Sequence, residues 1–176
     1  KLVIVPAMVV MDEEFKQRLK DYVKKGGIVV LTFRSAWKDA DNNFLFGERL
    51  PAGLTDLIGA ELEEHESLLT GQSRGVISPG GQETGEGQVF CEMLSPTTAK
   101  TLLTWSPCAF GDYAAATEND FGEGKCYYLG GSFDETLLSR LFDILLPPCG
   151  LNVAPVPEGV ETVKRTVGDR TVTMAL

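Results

Sequence analysis

Leu2-Val3-Ile4-Val5-Pro6-Ala7 and Ile28-Val29-Val30-Leu31-Thr32-Phe33 are short apolar runs that bracket a charged stretch, and the second ends in Arg34-Ser35. Runs rich in β-branched residues and lacking polar alternation suit strands covered on both faces. A helix-length segment between them makes a crossover unit, so the sheet is expected to be parallel. In such sheets function gathers where strands end. Arg34-Ser35-Ala36-Trp37-Lys38-Asp39 is therefore the first candidate region.

The intervening helix carries its own start and stop signals. Asp12 stands where an N-cap belongs, Glu13 and Glu14 suit the positive end of the helix dipole, and Lys24-Lys25 suit the negative end before Gly26-Gly27. Phe15, Leu19, Tyr22 and Val23 follow i, i+4, i+7, i+8 spacing, which makes one apolar stripe to lie on the sheet.

With 176 residues, 43% of them hydrophobic, the chain has enough apolar surface for one full core. No apolar run approaches the roughly 20 residues needed to span a bilayer, and no signal-like segment precedes Lys1, so the chain reads as soluble with no membrane partner. A formal net charge of −9 with no basic stripe argues against nucleic acid as a partner. Cys91, Cys108, Cys126 and Cys149 are widely spaced, and His65 is the single histidine, so a zinc site has little to build on. Three of the cysteines sit beside apolar or aromatic residues, as buried free thiols do in reducing compartments; a cytoplasmic location is expected.

Further along, Leu54–Ile58 reads as a short helix ending at Gly59 and Ala60–Glu64 as a strand. From Thr70 to Gln88 glycines recur without apolar periodicity, which predicts a long loop. Val89–Leu94 and Ala99–Trp105 read as strands, and Ala114–Glu118 with Lys125–Gly130 as a hairpin around Asn119–Gly124. Ser132-Phe133-Asp134-Glu135 matches a capping box for a last helix, with Leu137, Leu138, Leu141, Ile144 and Leu145 on its buried face and Pro147-Pro148 ending it. The division expected is a partial α/β domain over 1–150, then a linker and the start of a C-terminal β domain over 151–176. Both ends read as cut.

Few residues offer chemistry. No cysteine stands in a Gly-x-Cys-x-Gly elbow, and His65 lies within an acidic run, Glu61-Leu62-Glu63-Glu64-His65-Glu66, where a strand-edge or surface role is expected. The many acids single out no pair for glycoside hydrolysis. Neither glycine-rich stretch has the setting of a phosphate loop. Arg34, Trp37 and Asp39 differ, because a planar cation, an indole and an acid follow one strand end directly. Arginine and tryptophan are enriched at interface centres, so Arg34, Ser35, Trp37 and Asp39 are the expected subunit-contact or sugar-proximal loop, beside the reading of an ordinary packed loop.

In these residues the chain resembles the trimerisation domain of family 42 glycoside hydrolases, bacterial β-galactosidases. The likeness runs from Lys1–Ala7 through Gly26–Ser35, Lys38-Asp39 and Asn42-Asn43, then Leu57-Ile58-Gly59, Glu63-Glu64, Asn119–Gly130 and Gly159-Val160-Glu161. Trp37 and Thr70–Gln88 depart from the family pattern. The resemblance implies a flavodoxin-like or class I glutamine amidotransferase-like three-layer α/β sandwich, with a mostly parallel sheet truncated at its N-terminus. It implies catalytic glutamates in a (β/α)₈ barrel outside this chain, so no catalytic residue, metal or cofactor is expected here.

Three functions follow as expectations. The first is a non-catalytic oligomerisation fragment, self-associating as a trimer in a parent enzyme whose barrel takes the galactoside substrate, with the Leu2–Ala7 edge as a pairing template. The second is an independent amidotransferase-like or Cys-dependent hydrolase. The third is a sugar-binding module using Trp37 and the Arg34 loop.

Overall fold

The crossover is present, but its first strand is shorter than Leu2–Ala7 and is not covered on both faces as expected, since Val3 and Ile4 are 37% and 47% exposed. β1 (Leu2–Val5), α1 (Glu13–Lys24) and β2 (Ile28–Thr32) form the unit, with β1 and β2 parallel from Leu2 opposite Ile28 to Val5 opposite Leu31. This comes from a computed structural model that describes residues 1–107, 112–151, 157 and 159–175. The Asp12 side chain caps α1 by accepting from the Phe15 N–H at 2.6 Å. Leu19 and Val23 are buried on the sheet; Lys16 is buried as well, and its ammonium reaches Glu13 at 2.7 Å. Val29, Val30 and Leu31 have no solvent exposure, which is why this strand carries no polar alternation.

Beyond β2 the chain forms α2 (Thr55–Ile58), β3 (Ala60–Ser67), β4 (Arg74–Ile77), β5 (Glu83–Pro96), β6 (Lys100–Trp105), β7 (Ala114–Phe121), β8 (Gly124–Leu129), β9 (Gly131–Phe133) and α3 (Glu135–Leu145). The order in the main sheet is β1-β2-β8-β7-β6-β4-β5-β3, with β9 on β5. β2 pairs with β8 in parallel, and all pairings from β8 onward are antiparallel. The expected fold class is therefore corrected. This is a strand-dominated mixed sheet with few helices, and only its β1-β2-β8 edge is parallel. A flavodoxin-like sandwich needs a helix after nearly every strand to carry each crossover, whereas the strands from β3 to β8 return through turns and need none.

The predicted loop over Thr70–Gln88 is corrected with it. It contains β4 and the first half of β5, and β4 pairs with both β5 and β6. The glycines inside the two strands mark close approaches, whereas Gly71 and Gly81 face open space. A Cβ on Gly87 would lie 2.4 Å from the Trp105 ring, and one on Gly85 would lie 2.8 Å from the Cβ of Leu137. The last helix is capped by Asp134, which accepts from the Leu137 N–H at 2.9 Å, while Ser132 of the predicted capping box lies in β9.

Two cores flank the sheet. One joins α1 and α2 to Val29, Leu31, Cys126 and Tyr128; the other joins Leu137, Leu141 and Leu145 of α3 to Val30, Tyr127 and Trp105. Fully burying each such aliphatic side chain contributes about 1.5–3 kcal/mol. β10 (Thr162–Val167) and β11 (Arg170–Ala175) pair only with each other and are almost wholly exposed. Cys108, and the linker residue Pro155, lie outside the described residues.

Candidate functional site

At the C-terminal end of β2 the chain turns sharply. Arg34 and Ala36 both take left-handed backbone conformations, at φ 60° and 53°, which non-glycine residues seldom adopt. Neighbouring backbone holds them there. The Ala36 N–H donates to Met8 O at 2.9 Å, the Trp37 N–H to Val9 O at 3.0 Å, and the Ala52 N–H to Ala36 O at 3.0 Å. Ser35 is buried, and its hydroxyl donates to Thr32 O at 2.6 Å. Asp39 closes the outer half by accepting from the Asp41 and Asn43 N–H groups, each at 2.9 Å, and the Asn43 bond holds its carboxyl below the usual range.

Beneath this turn lies Glu92, which has no solvent exposure. Its Oε1 accepts from the Arg34 N–H at 2.7 Å and the Trp37 indole N–H at 3.1 Å, and its Oε2 accepts from the Tyr128 hydroxyl at 2.7 Å. Its own backbone is equally occupied: its N–H donates to Gly130 O at 2.6 Å, and its carbonyl accepts from the Trp105 indole at 2.8 Å. Burial pushes the carboxyl up to about 7, against the pull of its three donors and the Arg34 charge toward the ionised form. Burial and the adjacent Glu92 raise the Tyr128 hydroxyl well above its ordinary value.

Above Glu92 the aromatic residues close over the loop. Trp37 packs against Phe44, His65 and Phe90, with ring centroids 6.3, 5.0 and 5.8 Å apart. The exposed Arg34 guanidinium lies 5.8 Å from the Trp37 ring and 5.3 Å from the Phe90 ring. Phe44 is half exposed and Phe46 is 94% exposed, so the loop presents apolar surface beside a cation. Val89, at φ 60° beside the irregular β5–β9 register, sits immediately before Phe90.

The structure thus brings together Arg34, Ser35 and Trp37, and places Asp39 apart as the organiser of the adjoining turn. Trp37 is only 6% exposed, so its ring faces protein and cannot form an open sugar-stacking platform. Glu92, Phe90 and Tyr128 were missed from the sequence. One signal was present: a single acid inside Val89-Phe90-Cys91-Glu92-Met93-Leu94, where a buried polar group is more informative than its apolar neighbours.

Among the described residues the features of a cysteine hydrolase do not assemble. Cys91 and Cys126 are buried free thiols, Cys149 is free and half-buried, and burial pushes Cys91 up to about 12 and Cys126 higher still. His65 lies exposed on edge strand β3, as expected, and packs on aromatic rings. Among the described residues no three His, Cys, Asp or Glu side chains cluster as metal ligands, and no helix is long and apolar enough to cross a membrane.

Residues 1–152 match the family model described as the β-galactosidase trimerisation domain. β-Galactosidase BgaA of Clostridium cellulovorans is 31% identical over 147 residues, covering 81% of this chain and 22% of that protein. β-Galactosidase LacA of Lactobacillus acidophilus is 28% identical over 151 residues, covering 85% of this chain and 22% of that protein. Among solved structures, the β-galactosidase of Bacillus circulans sp. alkalophilus superposes with a TM-score of 0.91 at 26% identity, over 98% of this chain and 26% of that one. The chain spans about a quarter or less of the length of each.

Proposed function

The chain belongs to the β-galactosidase trimerisation-domain family, and on that premise we propose that it is the non-catalytic oligomerisation part of an enzyme that hydrolyses terminal β-galactosides. The observation that carries this reading is the family match over residues 1–152. In it, self-association is the task of this chain, and the galactoside is met by catalytic residues elsewhere in the parent protein.

The surface we assign to the subunit contact is the Arg34–Asp39 turn. Arg34 is exposed and lies over two rings, Ser35 is bonded to Thr32 O, Trp37 is held from below by Glu92, and Asp39 is bonded to Asn43 beside Phe44. A cation carried on a backbone held by hydrogen bonds, beside exposed aromatic surface, leaves less chain to order on docking, which favours such residues as interface anchors. Residues 151–176 are read as a linker and the start of a β domain, consistent with a hairpin whose strands pair only with each other. The free described thiols suit a reducing compartment, so the cytoplasm is the proposed location.

Sedimentation velocity over a range of concentrations tests the reading. The expected result is reversible self-association that Arg34→Ala weakens, with no turnover of a chromogenic galactoside. A species that stays monomeric at all concentrations, or turnover removed by changing an acid in this chain, would overturn it.

A further inference from the structure

Glu92 is an expensive residue to keep where it is. A carboxyl with no exposure, set between Cys91 and Met93 in mid-strand, loses its hydration and must recover it from fixed partners. Two of its three donors belong to the same short turn, the Arg34 N–H and the Trp37 indole N–H, and both fall on Oε1. Neither donor can reverse its role, because a backbone N–H and an indole N–H have no lone pair to offer. Oε2 faces the Tyr128 hydroxyl, which rotates and either donates or accepts. The pocket therefore demands one fixed acceptor and tolerates either polarity at the other oxygen.

The turn it supports is under strain. Arg34 and Ala36 stay in the left-handed region only while surrounding contacts over-determine them. The bond to the Arg34 N–H acts at the first of these residues, and the indole bond anchors the chain three residues on. Both side chains seen from outside, Arg34 over Trp37 and Phe90, and Phe44 against Trp37, take their positions from that anchoring.

We infer that Glu92 is the positioning residue of the subunit contact: from beneath the surface it holds the Arg34–Trp37 turn in the one conformation that a second copy of this chain recognises. This rests on the reading of the Arg34 turn as that contact. Glu92 itself touches no partner. Its influence passes through two hydrogen bonds, so a change at this buried site alters association without altering any exposed side chain.

The test compares the association constants of wild type, Glu92→Gln, Glu92→Met and Arg34→Ala by sedimentation velocity, at matched folded fraction by circular dichroism. Glutamine keeps an acceptor for the two loop donors and offers its amide N–H to the Tyr128 oxygen, so association within threefold of wild type is expected. Methionine fills the volume but accepts from neither donor, and at least tenfold weaker association is expected, with faster exchange of the Arg34 amide and the Trp37 indole N–H. A folded Glu92→Met protein that associates like wild type while Arg34→Ala does not would overturn the inference alone. If Arg34→Ala also leaves association unchanged, the subunit-contact reading fails as well. Should Glu92→Met not fold, Glu92→Gln decides: retained association supports the role, and a tenfold loss in a folded protein overturns it, because the acceptor is still present.

Discussion

The β1-β2-β8 edge and the antiparallel block from β3 to β7 belong to one sheet, yet they are built on different principles. In the parallel edge the inner strands β2 and β8 are covered by helix on both faces, while the outermost, β1, leaves Val3 and Ile4 exposed; the connections are long, and β1 and β2 are near-continuous apolar runs. In the antiparallel block the turns are short, and several strands are half wet. β5 is 14 residues long, and its first half passes through glycines and exposed side chains before it becomes apolar and buried at Phe90. The buried polar contacts lie where the two regions meet. Glu92 comes from the antiparallel block, and its partners Arg34, Trp37 and Tyr128 come from the parallel edge or the turn that leaves it. The candidate contact is thus made at the seam, by a residue from one region shaping a loop of the other.

If the seam binds the two regions, breaking it should cost more than damage within either. Glu92→Met leaves the Arg34 and Trp37 donors without their acceptor, and a loss of roughly 4 kcal/mol is expected at pH 5, where the folded carboxyl contributes most, by urea unfolding. A loss below about 1 kcal/mol would show that the two regions hold together without it.

The ionisation of the same residue gives the next largest effect. The folded carboxyl titrates at about 7 against an ordinary 4.5. A raised acid favours the folded state below the unfolded value and loses that contribution as pH rises through the folded one. Relative to Glu92→Gln, wild type should therefore lose stability between pH 4.5 and about 8, by at most roughly 3 kcal/mol. Parallel pH profiles of the two proteins would remove Glu92 from the account.

The helix caps sharpen the contrast further. Asp12 makes one local bond to α1, whereas Asp134 accepts from Leu137 of α3 and also from the Glu86 N–H of β5 at 2.5 Å. Asp134→Ala should cost roughly 2 kcal/mol and Asp12→Ala roughly 1 kcal/mol, measured by thermal unfolding. Equal losses would mean that the link from Asp134 to the antiparallel block contributes nothing.

The crossover, the stripe on α1, the β7–β8 hairpin and the family likeness were all legible from residue pattern, because each depends on local spacing or on burial common to a whole strand. The mostly parallel fold class was not, since it extrapolated one βαβ unit to the whole sheet. The glycines of β4 and β5 misled for a definite reason. Gly85 and Gly87 are small because Leu137 and Trp105 lie over them, and those neighbours are remote in sequence.

The candidate turn divides in the same way. Its residues, Arg34, Ser35, Trp37 and Asp39, could be named from their position after β2. That Trp37 is buried instead of presented, that Arg34 takes a left-handed backbone, and that one acid 55 residues beyond Trp37 anchors the indole depend on how β5 is laid beside β9 and β7. Hydrophobic periodicity records which face of a segment is covered. It carries no record of which distant side chain does the covering, and in a buried polar site that partner decides both the shape and the charge.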